Sequence, residues 1–223
     1  MAPLPDHLMP APSERPPLPR EVRIEHQRRS VLDAATEVFA KRGYPGTTVD
    51  HIVNGARVGF ASFYDLFDGK EDCFLRAYER IVEDAWEQIA AAVPAEASWT
   101  EQVCATLRAV LAAIAAAPLE ARLALVEVQT AGPRALARYE QTHDAVVPLL
   151  RRGRELSPRA AALPATLEEA TLGGVAWLLH QRLVMGEVEE IETLYPELVE
   201  IVIGPYLGEE RTAELIAAPA PPA

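Results

Sequence analysis

Between Thr47 and Glu71 the chain reads TTVDHIVNGARVGFASFYDLFDGKE, and this stretch limits the possible folds more than any other. Val49, Ile52, Val53 and Ala56 recur at i, i+3, i+4 and i+7, the apolar stripe of a two-turn helix. Thr47 or Thr48 stands where the side-chain oxygen of an N-cap belongs. The pattern breaks at Arg57 and Val58, and a second short helical run opens at Gly59 or Phe60, with Phe63 and Phe67 on one side. Two short helices joined by a tight turn, the second offering small or polar residues outward, describe a helix-turn-helix.

The neighbouring sequence supplies what such a unit needs. Arg20–Arg42 reads as a helix with Val31, Ala35, Val38 and Phe39 on one face, ended by Gly43 at C′ and the turn Tyr44-Pro45-Gly46. Three helices over residues 20–70 can close one small core. At about 50 residues that core is marginal alone and is expected to lean on the chain that follows. Met1–Pro19 holds seven prolines without periodicity and is expected to be a disordered arm, with Arg15, Arg20 and Arg23 able to follow DNA. A solvated tail without a role is the alternative.

Past Asp68-Gly69 the helical pattern continues without a convincing strand alternation anywhere, so the class is all-α. A helix over about 71–93 carries Phe74, Ala77, Tyr78, Ile81 and Ala85. Ser98 with Glu101 makes a capping box for the next, which runs to Pro118. Leu119–Thr130 follows, then a helix from Pro133 through Leu150 that Pro148 is expected to kink. Thr166 with Glu169 repeats the capping box for a helix to about Met185, and a last helix runs from Thr193 or Leu194 to Leu207. The expected organisation is an arm at 1–19, a helix-turn-helix head at 20–70, a helical body at 71–216, and a disordered tail at 217–223.

The helix from Leu172 to Met185 is apolar nearly all round, and Gly173-Gly174 lets a neighbour approach closely. Leu172, Gly173, Gly174, Val175, Leu179 and Leu183, with Leu198, Ile201 and Val202 of the last helix, are the expected interface of a homodimer. A helix buried within one subunit is the competing reading.

Net charge is −12, but residues 20–70 carry +1 while residues 71–223 carry −12. An acidic body discourages indiscriminate phosphate contact and leaves a local cluster free to dock on DNA. Cys73 and Cys104 form neither a disulfide framework nor a metal site, and Cys104 lacks a charge partner for redox sensing. No apolar run reaches the roughly 20 residues of a membrane-spanning helix, and no signal peptide is legible, so a cytoplasmic setting is expected.

Thr47-Thr48-Val49, Ile52, Ala56, Val58, Phe63-Tyr64, Phe67 and Lys70-Glu71 resemble, position by position, the N-terminal signature of the TetR/AcrR transcriptional regulators, TTV-x-x-IA-x-x-AGVS-x-x-TFY-x-HF-x-SKE. The likeness covers about residues 24–80. It implies a homodimer with two DNA-binding heads and a repressor that leaves its double-stranded operator when a small-molecule effector binds the body. Thr47, Thr48, Gly59, Phe60, Ala61 and Ser62 would face DNA, Tyr64 and Lys70 would touch phosphate, and Phe63 and Phe67 would form core. Arg57 stands where the pattern has Gly, Gly59 where it has Ser, and Leu66 where it has His. Arg57 adds a charge near the phosphates and, if φ must be positive there, costs on the order of 1 kcal/mol.

Catalysis finds no support. His7, His26, His51, His143 and His180 lack partners at triad or ligand spacing, no Gly-rich phosphate loop occurs, and no metal or cofactor is implied. A helical protein-interaction module, or a DNA-binding protein that answers to no ligand, is the alternative to a regulated repressor. Candidate pocket residues are Trp86, Leu107, Leu111 and Val126, with Tyr139, His143, Trp177 and Gln181, since large or polar groups there interrupt apolar faces. Arg122 and Glu127 either orient a polar group or are simply solvated.

Overall fold

The computed structural model describes residues 20–94 and 96–217. The expected arm at 1–19 and all of the expected tail except Ala217 lie outside them. Among the described residues there are helices and no strands: α1 (Arg20–Arg42), α2 (Val49–Ala56), α3 (Phe60–Tyr64), α4 (Lys70–Ala92), α5 (Trp99–Ala116) and α6 (Pro118–Leu125). They continue as α7 (Pro133–Asp144), α8 (Val147–Arg151), α9 (Pro158–Ala161), α10 (Leu167–Met185), α11 (Tyr195–Leu207) and α12 (Glu209–Ala217).

Most boundaries fall where local chemistry puts them. Gly43 ends α1 at φ +75, and its N–H bonds the Phe39 carbonyl at 2.9 Å. Ser98 caps α5 through a reciprocal box with Glu101. Three expectations need correction. Pro148 kinks no long helix: the chain breaks at Ala145-Val146, and Pro148 sits in the first turn of a separate α8, where its missing N–H costs nothing. Thr166 makes no side-chain cap, because its backbone (φ −95, ψ 10) is not extended as a cap requires, and Glu169 instead binds Arg151 at 2.8 Å. Leu119–Thr130 is α6 followed by a separate 3-10 turn, Glu127–Thr130. The short α8 and α9, and α12 near the end, left no clear periodic signal.

Two apolar cores organise the molecule. The first joins Val31, Ala35 and Phe39 of α1, Ile52 and Val53 of α2, and Phe63 and Phe67 to Phe74, Ala77, Tyr78 and Ile81 of α4, with Leu123, Val128 and Ala135 closing it. Phe74 stands edge-on to Phe39 at 5.1 Å and to Tyr44 at 5.2 Å. The three N-terminal helices therefore share their core with α4, α6 and α7, as a unit of that size requires. The second core packs α5 (Trp99, Val103, Leu107, Leu111, Ile114) against α10 and α11.

Candidate nucleic-acid interface

Thr48, not Thr47, caps α2. Its hydroxyl accepts the His51 N–H at 3.3 Å, and the Thr48 N–H donates to His51 Nδ1 at 3.2 Å. This capping box uses an imidazole where Glu or Gln is customary, so the usual sequence signal misses His51. Thr47 is turned inward at 1% exposure, and its Oγ1 donates to the Gly43 carbonyl at 2.8 Å. Of the two threonines expected to face DNA, only Thr48 is exposed.

Arg57 ends α2 in the left-handed region, φ 57 and ψ 40, the only non-glycine with positive φ among the described residues. Its N–H reaches the Asn54 carbonyl at 3.3 Å, and the next N–H, of Val58, reaches Val53 at 3.0 Å. The turn thus demands the conformation at which the family pattern keeps Gly. The Arg57 side chain is exposed.

Gly59 opens α3 in extended conformation without a side-chain cap, and open space surrounds the position of a Cβ. One face of α3 is fixed by Phe63, fully buried, which meets Phe67 at 5.4 Å and Tyr64 edge-on at 5.3 Å. The rest of its surface is bare: Ala61 is exposed, Phe60 is 49% exposed and Tyr64 57%, with Ser62 half-buried. Asp65 and Asp68, both exposed, follow.

The expectation that Lys70 reaches phosphate needs correction, because the structure directs its ammonium inward. Nζ donates to the carbonyls of Tyr44 at 3.0 Å and Thr47 at 2.9 Å, and it stands 4.1 Å from the Tyr44 ring centre. Burial lowers its pKa. The lysine at the start of α4 thereby ties that helix to the loop preceding α2. Leu66, where the pattern has His, is half-buried against the first core.

A feature not anticipated is the overhang of α1. Arg20–His26 is exposed, and burial begins at Val31. Arg20 and Arg23 belong to this continuous helix, not to a flexible arm. Arg28 lies over the Phe67 ring at 5.8 Å, so the overhang is on the side of α3.

The expected pocket residues do not converge. Leu107 and Leu111 are buried core of α5, while Trp177 is 61% exposed on α10. Trp86 lines a groove of about 230 Å³ between α4 and α7 with Tyr78, Val82, Arg138, Gln141 and Thr142. Tyr139 and His143, one turn apart on α7, hold their ring centres 4.2 Å apart at a tilt of 54°. Val126 and Gln181 are half-buried elsewhere. A larger open recess of about 590 Å³ lies where α9, α11 and α12 meet, lined by Arg159, Glu200, Gly204 and Thr212, none of them expected.

The expected dimer residues divide. Leu179, Leu183, Leu198 and Val202 are at most 4% exposed in this chain's own second core, correcting their assignment to a partner-facing seam. Gly173, Gly174 and Ile201 are exposed, and Leu172 and Val175 half-buried. Trp177, Val184 and Met185, all exposed, extend that bare strip along α10.

Comparison with known proteins gives consistent results. Residues 31–77 match the model of bacterial regulatory proteins, tetR family. The chain is similar to the uncharacterized HTH-type transcriptional regulator YhgD of Bacillus subtilis, 28% identical over 85 residues, 38% of this chain and 44% of that protein. It is also similar to the HTH-type transcriptional regulator HbdR of Aromatoleum, 31% identical over 65 residues, 29% of this chain and 28% of that one. Both matches thus span less than half of the relative's length. Similar folds are those of the fatty acid degradation regulator FadR of Bacillus halodurans (TM-score 0.69, 16% identity, 79% of this chain and 94% of that one) and FadR of Bacillus subtilis in complex with stearoyl-CoA (0.68, 15%, 82% and 99%). A TetR-like regulator from Rhodococcus aligns over 86% of this chain and 100% of its own at TM-score 0.64 and 21% identity.

Proposed function

We propose, from the match of residues 31–77 to the tetR family of bacterial regulatory proteins, that the chain is a regulator of that family: a cytoplasmic, homodimeric DNA-binding protein that represses by occupying an operator and leaves it when a small molecule binds the body. The observation that carries DNA binding is α3 itself: it is anchored by the buried Phe63 and leaves Phe60, Ala61 and Tyr64 uncovered. Thr48 and Arg57 at the ends of α2 are proposed phosphate contacts, and Gly59–Ser62 is the proposed base-reading segment. Phe60 and Ala61 provide apolar contact suited to a thymine methyl. Shape and half-site spacing then supply much of the selectivity.

Pairing of two chains is supported by the bare strip on α10 and by Ile201 on α11, large apolar and small residues that this chain leaves uncovered. The α4–α7 groove is the proposed effector seat, because one of its walls is the helix that starts in the head. A ligand preferring one spacing of α4 and α7 needs about 1–3 kcal/mol of differential binding to change operator affinity 5- to 150-fold. The FadR–stearoyl-CoA neighbour makes acyl-CoA thioesters the first effectors to titrate.

The experiment is selection from a pool of random duplexes, followed by gel shift of the enriched site. Repeated half-sites about one helical turn apart, and weakened binding by Tyr64→Ala, are expected. A wild-type chain that enriches no duplex at low salt would sink the reading.

A further inference from the structure

Tyr44 lies four residues after Ala40, so if α1 continued, the Tyr44 N–H would bond the Ala40 carbonyl. Gly43 ends the helix at φ +75, and the two groups part. Both are taken up by one ion pair from elsewhere in the chain. Arg122 Nε, on α6, donates to the Ala40 carbonyl at 2.9 Å. Glu127 Oε2, in the 3-10 turn after α6, accepts the Tyr44 N–H at 2.9 Å. Arg122 and Glu127 are 3.5 Å apart, and the carboxylate is nearly fully buried. A Cβ on Gly43 would lie 3.3 Å from Glu127 Oε2, so the glycine also admits the carboxylate.

The same guanidinium makes a third connection. Its Nη1 donates to the Leu183 carbonyl at 3.2 Å, in the last turn of α10. Arg122 therefore joins the C-terminal ends of α1 and α10, where the macrodipole favours a cation. The Tyr44 carbonyl in turn accepts from Lys70 at 3.0 Å, at the start of α4. One polar chain thus connects the end of α10, through α6 and the 44–47 loop, to the start of α4 and to Thr47, the residue before the cap of α2. Apolar packing alone would leave these elements free to slide, whereas hydrogen bonds of fixed length and direction set their relative angle.

We propose that Arg122 and Glu127 are positioning residues that set the head at a fixed angle to α10, and so fix the half-site spacing the dimer accepts. This rests on the function proposed above, with α10 as a pairing helix. The pair touches no DNA itself. Arg122→Met keeps the stem and removes every donor, and Glu127→Gln keeps an acceptor for the Tyr44 N–H.

The experiment uses the full chain and the duplex selected from the random pool, with a second duplex whose half-sites are one base pair further apart. The wild-type chain is expected to discriminate between them. Arg122→Met is expected to reduce that discrimination about tenfold, within the usual range of coupling between sites, and Glu127→Gln to stay within about threefold of wild type. Thermal unfolding separates loss of fold from loss of angle. A folded Arg122→Met variant whose affinity falls equally for both duplexes, or not at all, overturns the proposal.

A second measurement needs no DNA. Amide hydrogen exchange is expected to quicken at Tyr44 in Arg122→Met and to stay unchanged at Val53 and Ala56 within α2. Unchanged exchange at Tyr44 also overturns it. A wild-type chain that selects no duplex fails the regulatory reading, and the exchange experiment then still decides whether the linkage holds the head.

Discussion

The indole of Trp99 lies so close to the backbone of Gly153 that a Cβ there would stand 2.5 Å from Cζ2 and 2.8 Å from Cη2. The ring has little room to withdraw, because its N–H donates to the Leu149 carbonyl at 2.7 Å and it meets Tyr206 edge-on at 5.0 Å. Gly153→Ala is therefore expected to destabilise the chain by about 1–3 kcal/mol. The denaturant midpoint should fall with an unchanged slope. A wild-type midpoint would show that the indole yields without cost.

Arg57 is held at φ 57. Replacing it by Gly removes a left-handed penalty of about 1–2 kcal/mol and adds freedom to the unfolded chain, for a net gain of about 0.5–1 kcal/mol. Arg57→Ala retains the penalty and should show no such gain. Equal stability of the two variants would remove strain from the account of this turn.

Glu168 is wholly buried and paired with Arg154 through Nε at 2.7 Å and Nη2 at 2.8 Å, with the Tyr206 hydroxyl donating at 2.9 Å. The hydrogen bonds from Arg154 first, then that from Tyr206, hold its pKa below the usual glutamate value against the opposing effect of burial. A lowered native pKa contributes stability that is complete above the unfolded-state value, around 4.3, and is lost as pH falls through the native one. Unfolding titrations from about pH 5 downward should show a steeper loss for wild type than for Glu168→Gln. At neutral pH the variant is the less stable, because it leaves the Arg154 charge without its carboxylate. Parallel acid profiles would place the sensitivity elsewhere.

The exposed overhang of α1 carries Arg20 and Arg23, and Arg29 is exposed just beyond it. If DNA lies along α3, this rigid rod meets the phosphates flanking the half-site. Substituting Arg23 and Arg29 by Ala should weaken binding uniformly across sequences and lower the salt slope by about 1 for each phosphate no longer neutralised. A slope equal to wild type would exclude the overhang from the interface.

Trp177 and Ile201 are apolar and uncovered in the single chain. Arg at both positions is expected to convert a dimer to a monomer in sedimentation while leaving helical content intact. Unchanged mass would move the pairing surface away from α10 and α11.

What the sequence discloses follows the range of the interactions involved. The stripe Val49–Ala56 is local, set by neighbours within a turn or two, and is legible from spacing, whereas the αL conformation of Arg57 is suggested only by the Gly that the resembled family pattern keeps there. Thr48 is one of two adjacent candidates, and only the inward turn of Thr47 resolves which hydroxyl caps α2. Glu168 resembles its neighbour Glu169, yet one is buried and the other exposed, a difference set by Arg154 and Tyr206. Arg122 and Glu127 find their head partners more than 80 residues away, and no periodicity carries such a pairing. The expected dimer leucines fail for a related reason: a helix apolar all round does not announce which side its own chain covers.

Helix α4 is unbroken for 23 residues, and its first residue, Lys70, is fastened to the carbonyls of Tyr44 and Thr47. At ~1.5 Å per residue it is a rod of ~34 Å. A swing of about 6° around its far end carries the Lys70 end ~3.5 Å, close to the ~3.4 Å rise of one base pair. With Lys70 clamped to the loop, that displacement passes to the head instead of dissipating at a joint. If two heads pair on an operator as proposed, a displacement of that size is enough to put the reader out of step by a whole base pair.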